Sequence, residues 1–268
     1  MAIHRNLFWK ILNRFKIRFK QVFYIVARHD VECNLCGYKA NKLESDIWHQ
    51  NCTCPVCGSG VRQRLLWATL TKHTNLSFKT IINEKKILHF APETQLGKMI
   101  KQCALDYKTA DYLAEGYKYD HIDFNIDISN MQQIEDESFD CVIACDVLEH
   151  VPDDIKAMEE VFRVLKNGGA CLLTVPQRDY LKDTYEDPSI CEPSERQKAY
   201  GQHDHLRIYG EDFTKFMEKC GFLVEVVDEF DFSKRVAHQY VLYPPILSEH
   251  LNATNFRKVF VGRKINNK

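Results

Sequence analysis

From Lys86 onward, short apolar runs bounded by turn residues alternate with stretches in which apolar residues recur every three or four positions. The runs are long enough for buried strands and the intervening stretches have the helical period, the pattern of a parallel sheet covered by helices on both faces. Strands are predicted at 86–90, 107–111, 121–124, 141–145, 170–175, 223–227 and 258–262, and helices at 95–104, 155–165 and 212–220. The last two helices run into Asn167-Gly168-Gly169 and Gly221, where glycine can take the left-handed conformation that stops a helix. Seven strands in this order predict an α/β fold with a doubly wound, mostly parallel sheet. Ligands of such sheets sit beyond the carboxyl ends of the strands, near the point where strand order reverses.

Residues 1–29 have a different pattern. Phe8, Ile11, Leu12, Phe15, Phe19, Val22, Phe23 and Val26 fall on one face of a helix, while Arg5, Lys10, Arg14, Lys16, Arg18, Lys20 and Arg28 lie largely on the other, with no acid among them. This is a cationic amphipathic helix. It lacks the uninterrupted apolar run of a membrane span or a signal peptide. Three uses stay open: packing on the body of the protein, lying on an anionic membrane surface, or touching nucleic acid through its basic face. The formal charge of the 268-residue chain is only −1, yet residues 1–75 hold 12 Lys and Arg against 4 Asp and Glu. With 45% hydrophobic and 27% charged residues, the composition excludes a wholly disordered or fibrous chain.

Eleven cysteines are present, five of them between Cys33 and Cys57 and six scattered through the rest. That distribution argues against a disulfide framework and for a reducing, cytoplasmic setting with a local metal cluster. Cys33-Asn34-Leu35-Cys36 and Cys54-Pro55-Val56-Cys57 are two C-x2-C knuckles separated by seventeen residues, each followed by glycine. Cys33, Cys36, Cys54 and Cys57 are therefore predicted to hold a structural zinc, because four thiolates close the tetrahedral shell and leave no position for water. Cys52 is placed outside that shell, since using it would break the second pair. Arg62 and Arg64 follow closely, either as a phosphate-reading face or as solvated charges. The expected organisation is a helix at 1–29, a small zinc ribbon at 30–66, and an α/β domain at 67–268.

An acid stands at each useful position of the expected sheet: Asp111 ends the second strand, Asp127 follows the third, and Asp146 with Glu149 follows the fourth. The first can accept both hydroxyls of a ribose and the second an adenine amino group, which together describe an adenosine pocket. Phe139-Asp140-Cys141-Val142-Ile143-Ala144-Cys145-Asp146-Val147-Leu148-Glu149-His150-Val151 and Arg163-Val164-Leu165-Lys166-Asn167-Gly168-Gly169 resemble the fourth strand and the approach to the fifth in class I S-adenosylmethionine-dependent methyltransferases of the type 11 kind. The resemblance covers roughly residues 85–175 and implies a Rossmann-like sheet, S-adenosylmethionine as cofactor, and a cofactor site at Ala91, Glu93, Asp111, Asp127, Ile128 and Asp146. One departure stands out: the glycine-rich loop usual after the first strand is replaced by Ala91-Pro92-Glu93. Ala91 is small enough for close approach, and Glu93 can accept from the cofactor's ammonium group.

Residues 176–211 are too many for an ordinary loop between a strand and a helix, and long insertions tend to be functional. In the family such an insertion shapes the acceptor site. His205 is the first candidate base and His150 the second, with Asp204 or Glu186 to orient the imidazole. Glu186, Arg207 and Tyr209 are assigned to the acceptor, Arg207 for an anionic group and Tyr209 for stacking on a sugar or base. The predicted activity is methyl transfer to a small-molecule or glycan acceptor, at the inner face of a membrane if the basic helix binds there. Two alternatives remain: an RNA methyltransferase docking through the zinc ribbon, and an inactive methyltransferase-like adaptor.

Overall fold

The computed structural model describes residues 29–46, 49–73, 76–113, 121–178, 180–243 and 258–265, so the basic segment at 1–28 lies outside the described residues. The chain begins with a two-stranded antiparallel ribbon, β1 (Val31–Glu32) and β2 (Lys39–Ala40), followed by α1 (Val61–Lys72) and the short α2 (Phe78–Ile81). The body then runs β3 (Lys86–Phe90), α3 (Thr94–Lys101), β4 (Asp106–Asp111), β5 (Phe124–Asn125), β6 (Phe139–Cys145), α4 (Asp154–Val164) and β7 (Leu165–Thr174). It closes with α5 (Pro193–Tyr200), α6 (Phe213–Lys219), β8 (Phe222–Val227), α7 (Lys234–Tyr240) and β9 (Val259–Lys264).

Seven strands form one sheet in the order β5-β4-β3-β6-β7-β9-β8. The first five are mutually parallel, and β9 enters antiparallel between β7 and β8. Strand order reverses between β3 and β6, which puts the carboxyl ends of those two strands where a ligand crevice belongs. Alternation along the strands builds two cores. Leu88, Phe90, Val142, Ala144 and Leu173 pack on Met158 and Val161 of α4 and Phe213 and Met217 of α6. Ile87, Ile143, Cys145, Leu172 and Val261 face Leu65 and Leu66 of α1 and Leu96 and Ile100 of α3. The knuckle residues Cys33, Leu35 and Cys54 belong to that second cluster, so the ribbon and the sheet share apolar packing. Full burial of a leucine contributes ~1.5–3 kcal/mol, so Leu65 and Leu66 together anchor α1, and what precedes it, firmly on the sheet.

Asn167-Gly168-Gly169 does not stop a helix. α4 ends at Val164, Leu165 is already extended, and β7 starts there. The pairing passes from Phe139↔Leu165 to Cys141↔Ala170, so the extra residues form a bulge in which Gly168 takes φ +78°. A Cβ at Gly169 would lie 2.8 Å from the Lys166 carbonyl oxygen, which explains glycine there. Gly221 does end α6 in the left-handed conformation, at φ +98°. No helix among the described residues is long and apolar enough to cross a membrane.

Candidate active site

The turns after β3 and β6 are both left-handed at a non-glycine residue, Ala91 at φ +45° and Asp146 at φ +53°. Such a conformation costs an L-residue on the order of 1–2 kcal/mol and persists only where its surroundings enforce it. Here they do. Ala91 donates its N–H to the Ala110 carbonyl at 3.0 Å, and Asp146 donates to the Thr174 carbonyl at 2.9 Å while its Oδ1 accepts the Thr174 hydroxyl at 2.8 Å. The loop without glycines thus takes a backbone shape that glycine would favour.

Arg62, at the start of α1, reaches over these two turns. Its guanidinium donates to the Asp146 carboxylate and, at 3.4 Å, to Glu93. Glu93 also lies 3.2 Å from Nε2 of the buried His89, whose Nδ1 is 2.9 Å from the Tyr107 hydroxyl. Burial opposes ionisation of Glu93, but the hydrogen bond and charge of His89 and the charge of Arg62 outweigh it, leaving the carboxyl below its ordinary range. Burial, with Glu93 nearby, pushes the Tyr107 phenol up. Along the same edge Asp111 accepts the N–H of Tyr112 at 2.7 Å, and Asp127 Oδ1 accepts the N–H and hydroxyl of Ser129 at 2.7 and 2.8 Å. Ile128 is buried against the first core. Arg62 links Glu93 to Asp146, a role its place beside Arg64 in the sequence did not signal.

A second cluster lies three residues further along the β6 turn, where a 3-10 turn, Leu148–His150, is pinned by the Leu206 N–H donating to the Glu149 carbonyl at 2.8 Å. Glu149 is fully buried, and no other residue donates a hydrogen bond to either carboxylate oxygen. Burial pushes its pKa up to about 8. Nε2 of His150 and Nε2 of His205 each lie 3.9 Å from its Oε1. The two rings stand edge to face, 4.9 Å between centroids. His205 is buried, and its Nδ1 lies 3.2 Å from the Tyr200 carbonyl, which can only accept, so Nδ1 carries the proton. Burial and then His150 push its pKa down to about 4.

His205, His150 and Asp204 are thus brought together, but Asp204 turns to His150, 3.4 Å from its Nδ1. Glu186 orients no imidazole; it pairs with Arg207. The acceptor roles of Arg207 and Tyr209 require correction. Arg207 is 1% exposed, and all five of its donors are taken: Leu148 and Val151 carbonyls on one terminal nitrogen, the Pro152 carbonyl and Glu186 Oε1 on the other, and Glu186 Oε2 on Nε. No donor is left for an acceptor anion. Tyr209 is wholly buried, edge-on to Phe213 at 4.8 Å, and donates its hydroxyl to Asp154 at 2.7 Å, so its ring cannot stack on a ligand. Arg207 fastens the insertion to the turn that carries Glu149 and His150, and Tyr209 fastens it to the start of α4.

Beneath Arg62, the two knuckles meet. Cys33 and Cys57 Sγ atoms are 3.7 Å apart, those of Cys36 and Cys54 are 3.5 Å apart, and all four lie within 4.8 Å of one another. Four thiolates at the usual Zn–S distance stand ~3.8 Å apart along each tetrahedral edge, so this donor set fits zinc. Gly37 and Gly58, at φ +75° and +74°, donate their N–H groups to the Cys33 and Cys54 carbonyls and close the turns. Cys52 lies apart, 3.6 Å from Asp46. Arg64 is no phosphate-reading charge. It is fully buried and donates to the carbonyls of Ser59, Cys52, Tyr240 and Val241. Burial works against its charge, and the thiols of Cys33, Cys52, Cys54 and Cys57 act in its favour, an environment that suits a thiolate cluster.

Residues 91–173 match the family described as Methyltransferase domain, type 11. The matched span runs from the left-handed Ala91 to the penultimate residue of β7. Phosphoethanolamine N-methyltransferase 2 of Caenorhabditis elegans is 33% identical over 63 residues, 24% of this chain and 14% of the relative. Arsenite methyltransferase of Mus musculus is 32% identical over 90 residues, 33% of this chain and 22% of the relative. The chain therefore spans about a fifth or less of the length of these curated relatives. Among solved structures, an S-adenosylmethionine-dependent methyltransferase from Mesorhizobium loti superimposes with a TM-score of 0.50 at 16% identity, covering 76% of this chain and 98% of that one. The seven-stranded, mostly parallel Rossmann-like sheet is common to both.

Proposed function

We propose that the chain is an S-adenosylmethionine-dependent methyltransferase acting on a small-molecule or glycan acceptor. The observation that carries this reading is the row of acids at the carboxyl edge of the sheet, within the span that matches methyltransferase domains: Glu93, Asp111, Asp127 and Asp146. When bound, S-adenosylmethionine supplies an electrophilic methyl group on a sulfonium. Asp111 would accept its ribose hydroxyls, Asp127 its adenine amino group beside the apolar Ile128, and Glu93 its ammonium, with Ala91 allowing the backbone close to it. Arg62, already between Glu93 and Asp146, would take the carboxylate. Because α1 starts directly after the second knuckle, a structural zinc in the Cys33, Cys36, Cys54 and Cys57 shell would fix where Arg62 points.

On the acceptor side, residues 176–211 carry His205 and Asp204 to His150 and Glu149, where an acceptor would lose its proton. The burial of Arg64 and the pairing of Arg62 with acids weigh against RNA docking through the ribbon. The reading extends to contact of residues 1–29 with an anionic surface from the reducing, cytoplasmic side. The test is calorimetric titration of zinc-replete protein with S-adenosylmethionine and S-adenosylhomocysteine. Micromolar binding of both, weakened about 10–100-fold in Asp111→Ala through loss of charged hydrogen bonds, is expected. Binding of neither would leave the domain an adaptor.

A further inference from the structure

We propose that Glu149, His150 and His205 bind one divalent first-row transition-metal ion, at a site separate from the four-cysteine knuckle. Three ligand atoms converge: Nε2 of His150, Nε2 of His205 and Oε1 of Glu149, all within 4.8 Å of one another and each nitrogen 3.9 Å from the oxygen. Around a metal with ordinary nitrogen and oxygen bond lengths, adjacent ligands stand ~3.4 Å apart, so a small contraction completes the shell.

Both imidazoles are held as ligand histidines usually are. His205 presents Nδ1 to the Tyr200 carbonyl at 3.2 Å, and His150 presents Nδ1 to the Asp204 carboxylate at 3.4 Å, which leaves each Nε2 facing Glu149. Glu149 supplies the independent observation. Its carboxyl is wholly buried and no other residue donates a hydrogen bond to either oxygen, a costly arrangement for a group whose only role is packing. Arg207 is near enough to hold the Leu148 carbonyl, yet every donor it has is directed elsewhere. A cation between the three side chains would satisfy the carboxylate. Two imidazoles and one carboxylate suit manganese, iron, cobalt or zinc, and three protein ligands leave positions for water. If the methyltransferase reading holds, an acceptor oxygen would take one of those positions, and with the metal bound the cation rather than a free imidazole would ease its loss of a proton; the metal site itself does not depend on that reading.

The experiment titrates full-length, zinc-replete protein with Mn²⁺ and follows free Mn²⁺ by electron paramagnetic resonance, with zinc content and S-adenosylhomocysteine binding measured on the same samples. Mn²⁺ stands low in the affinity order and leaves a thiolate-bound zinc in place. The expected result is binding of about one Mn²⁺ per chain, weakened at least about tenfold in Glu149→Gln with the zinc content unchanged. His150→Ala, at a half-buried position, is the second variant should the buried Gln disturb folding, and the same loss is expected. No Mn²⁺ bound by the wild type, or equal affinity in both variants, overturns the proposal. Mn²⁺ binding without any S-adenosylhomocysteine binding would overturn the methyltransferase reading and leave the metal site standing.

Discussion

Replacing Arg207 by methionine isolates what a saturated, buried guanidinium does for the acceptor-side insertion. The methionine stem retains most of the apolar packing, while the Val151 and Pro152 carbonyls lose their donors and the Leu148 carbonyl keeps only the Val151 N–H at 3.2 Å. A buried acceptor left unsatisfied costs about 1–3 kcal/mol. Glu186, 41% exposed, rehydrates and adds little, and water entering on its side favours the low end for each of the two orphaned carbonyls, or about 2 kcal/mol in all. At roughly 2–4 °C per kcal/mol for a chain of this size, the thermal midpoint should fall by about 4–8 °C in differential scanning calorimetry. Glu186→Gln, which removes only the part-exposed partner, should cost about 1 kcal/mol or less. Below its midpoint, Arg207→Met should bind S-adenosylhomocysteine as the wild type does. A midpoint within about 2 °C of wild type would refute the reasoning, because the Val151 and Pro152 carbonyls would then not depend on Arg207.

Three more perturbations probe the cofactor side. Arg62→Ala should weaken S-adenosylmethionine binding about tenfold or more by removing a charge-assisted contact, and should affect adenosine itself far less; equal losses for both ligands would contradict the carboxylate role. Cys36→Ser should lower zinc from about one atom per chain and, because the knuckle aims Arg62, weaken cofactor binding as well as stability; unchanged zinc by atomic absorption would remove the four-thiolate site. Ala91→Gly should preserve cofactor affinity, whereas Ala91→Val, a β-branched residue at φ +45°, should lower the thermal midpoint by several degrees; a neutral Ala91→Val would mean that the turn is not enforced.

β3, β6 and the second half of β7 were legible because they are almost wholly buried and read as apolar runs, and the expected 86–90 strand is β3 itself; β4, half-buried everywhere but at Ala110, is not such a run. Asp146 was legible for a related reason, since a polar residue just past such a run lies at the sheet's edge, whereas Asp111 and Asp127 stand at β4 and β5, which are not apolar runs. The bulge at Gly168 was misread because a glycine pair after a helix has the same local signature whether it ends the helix or interrupts the next strand. Arg62 joins Asp146 across 84 positions, and Arg207 joins Leu148 across 59, distances over which periodicity is silent. Arg207 was read as a ligand-binding residue because a charge in a polar insertion is normally solvated; nothing local shows that five acceptors await it. Glu149 was read as an acid past the fourth strand, but its burial was not legible, because it is set by Leu206 and His205, which arrive from the far side of the insertion.

The most direct test of the central claim is a crystal structure of the full chain with S-adenosylhomocysteine. Density for the adenosine between Asp111 and Asp127, with the amino-acid end against Glu93 and its carboxylate on Arg62, is the predicted result. Ligand bound elsewhere on the chain, or Asp111 and Arg62 both without contact to it, would contradict the account.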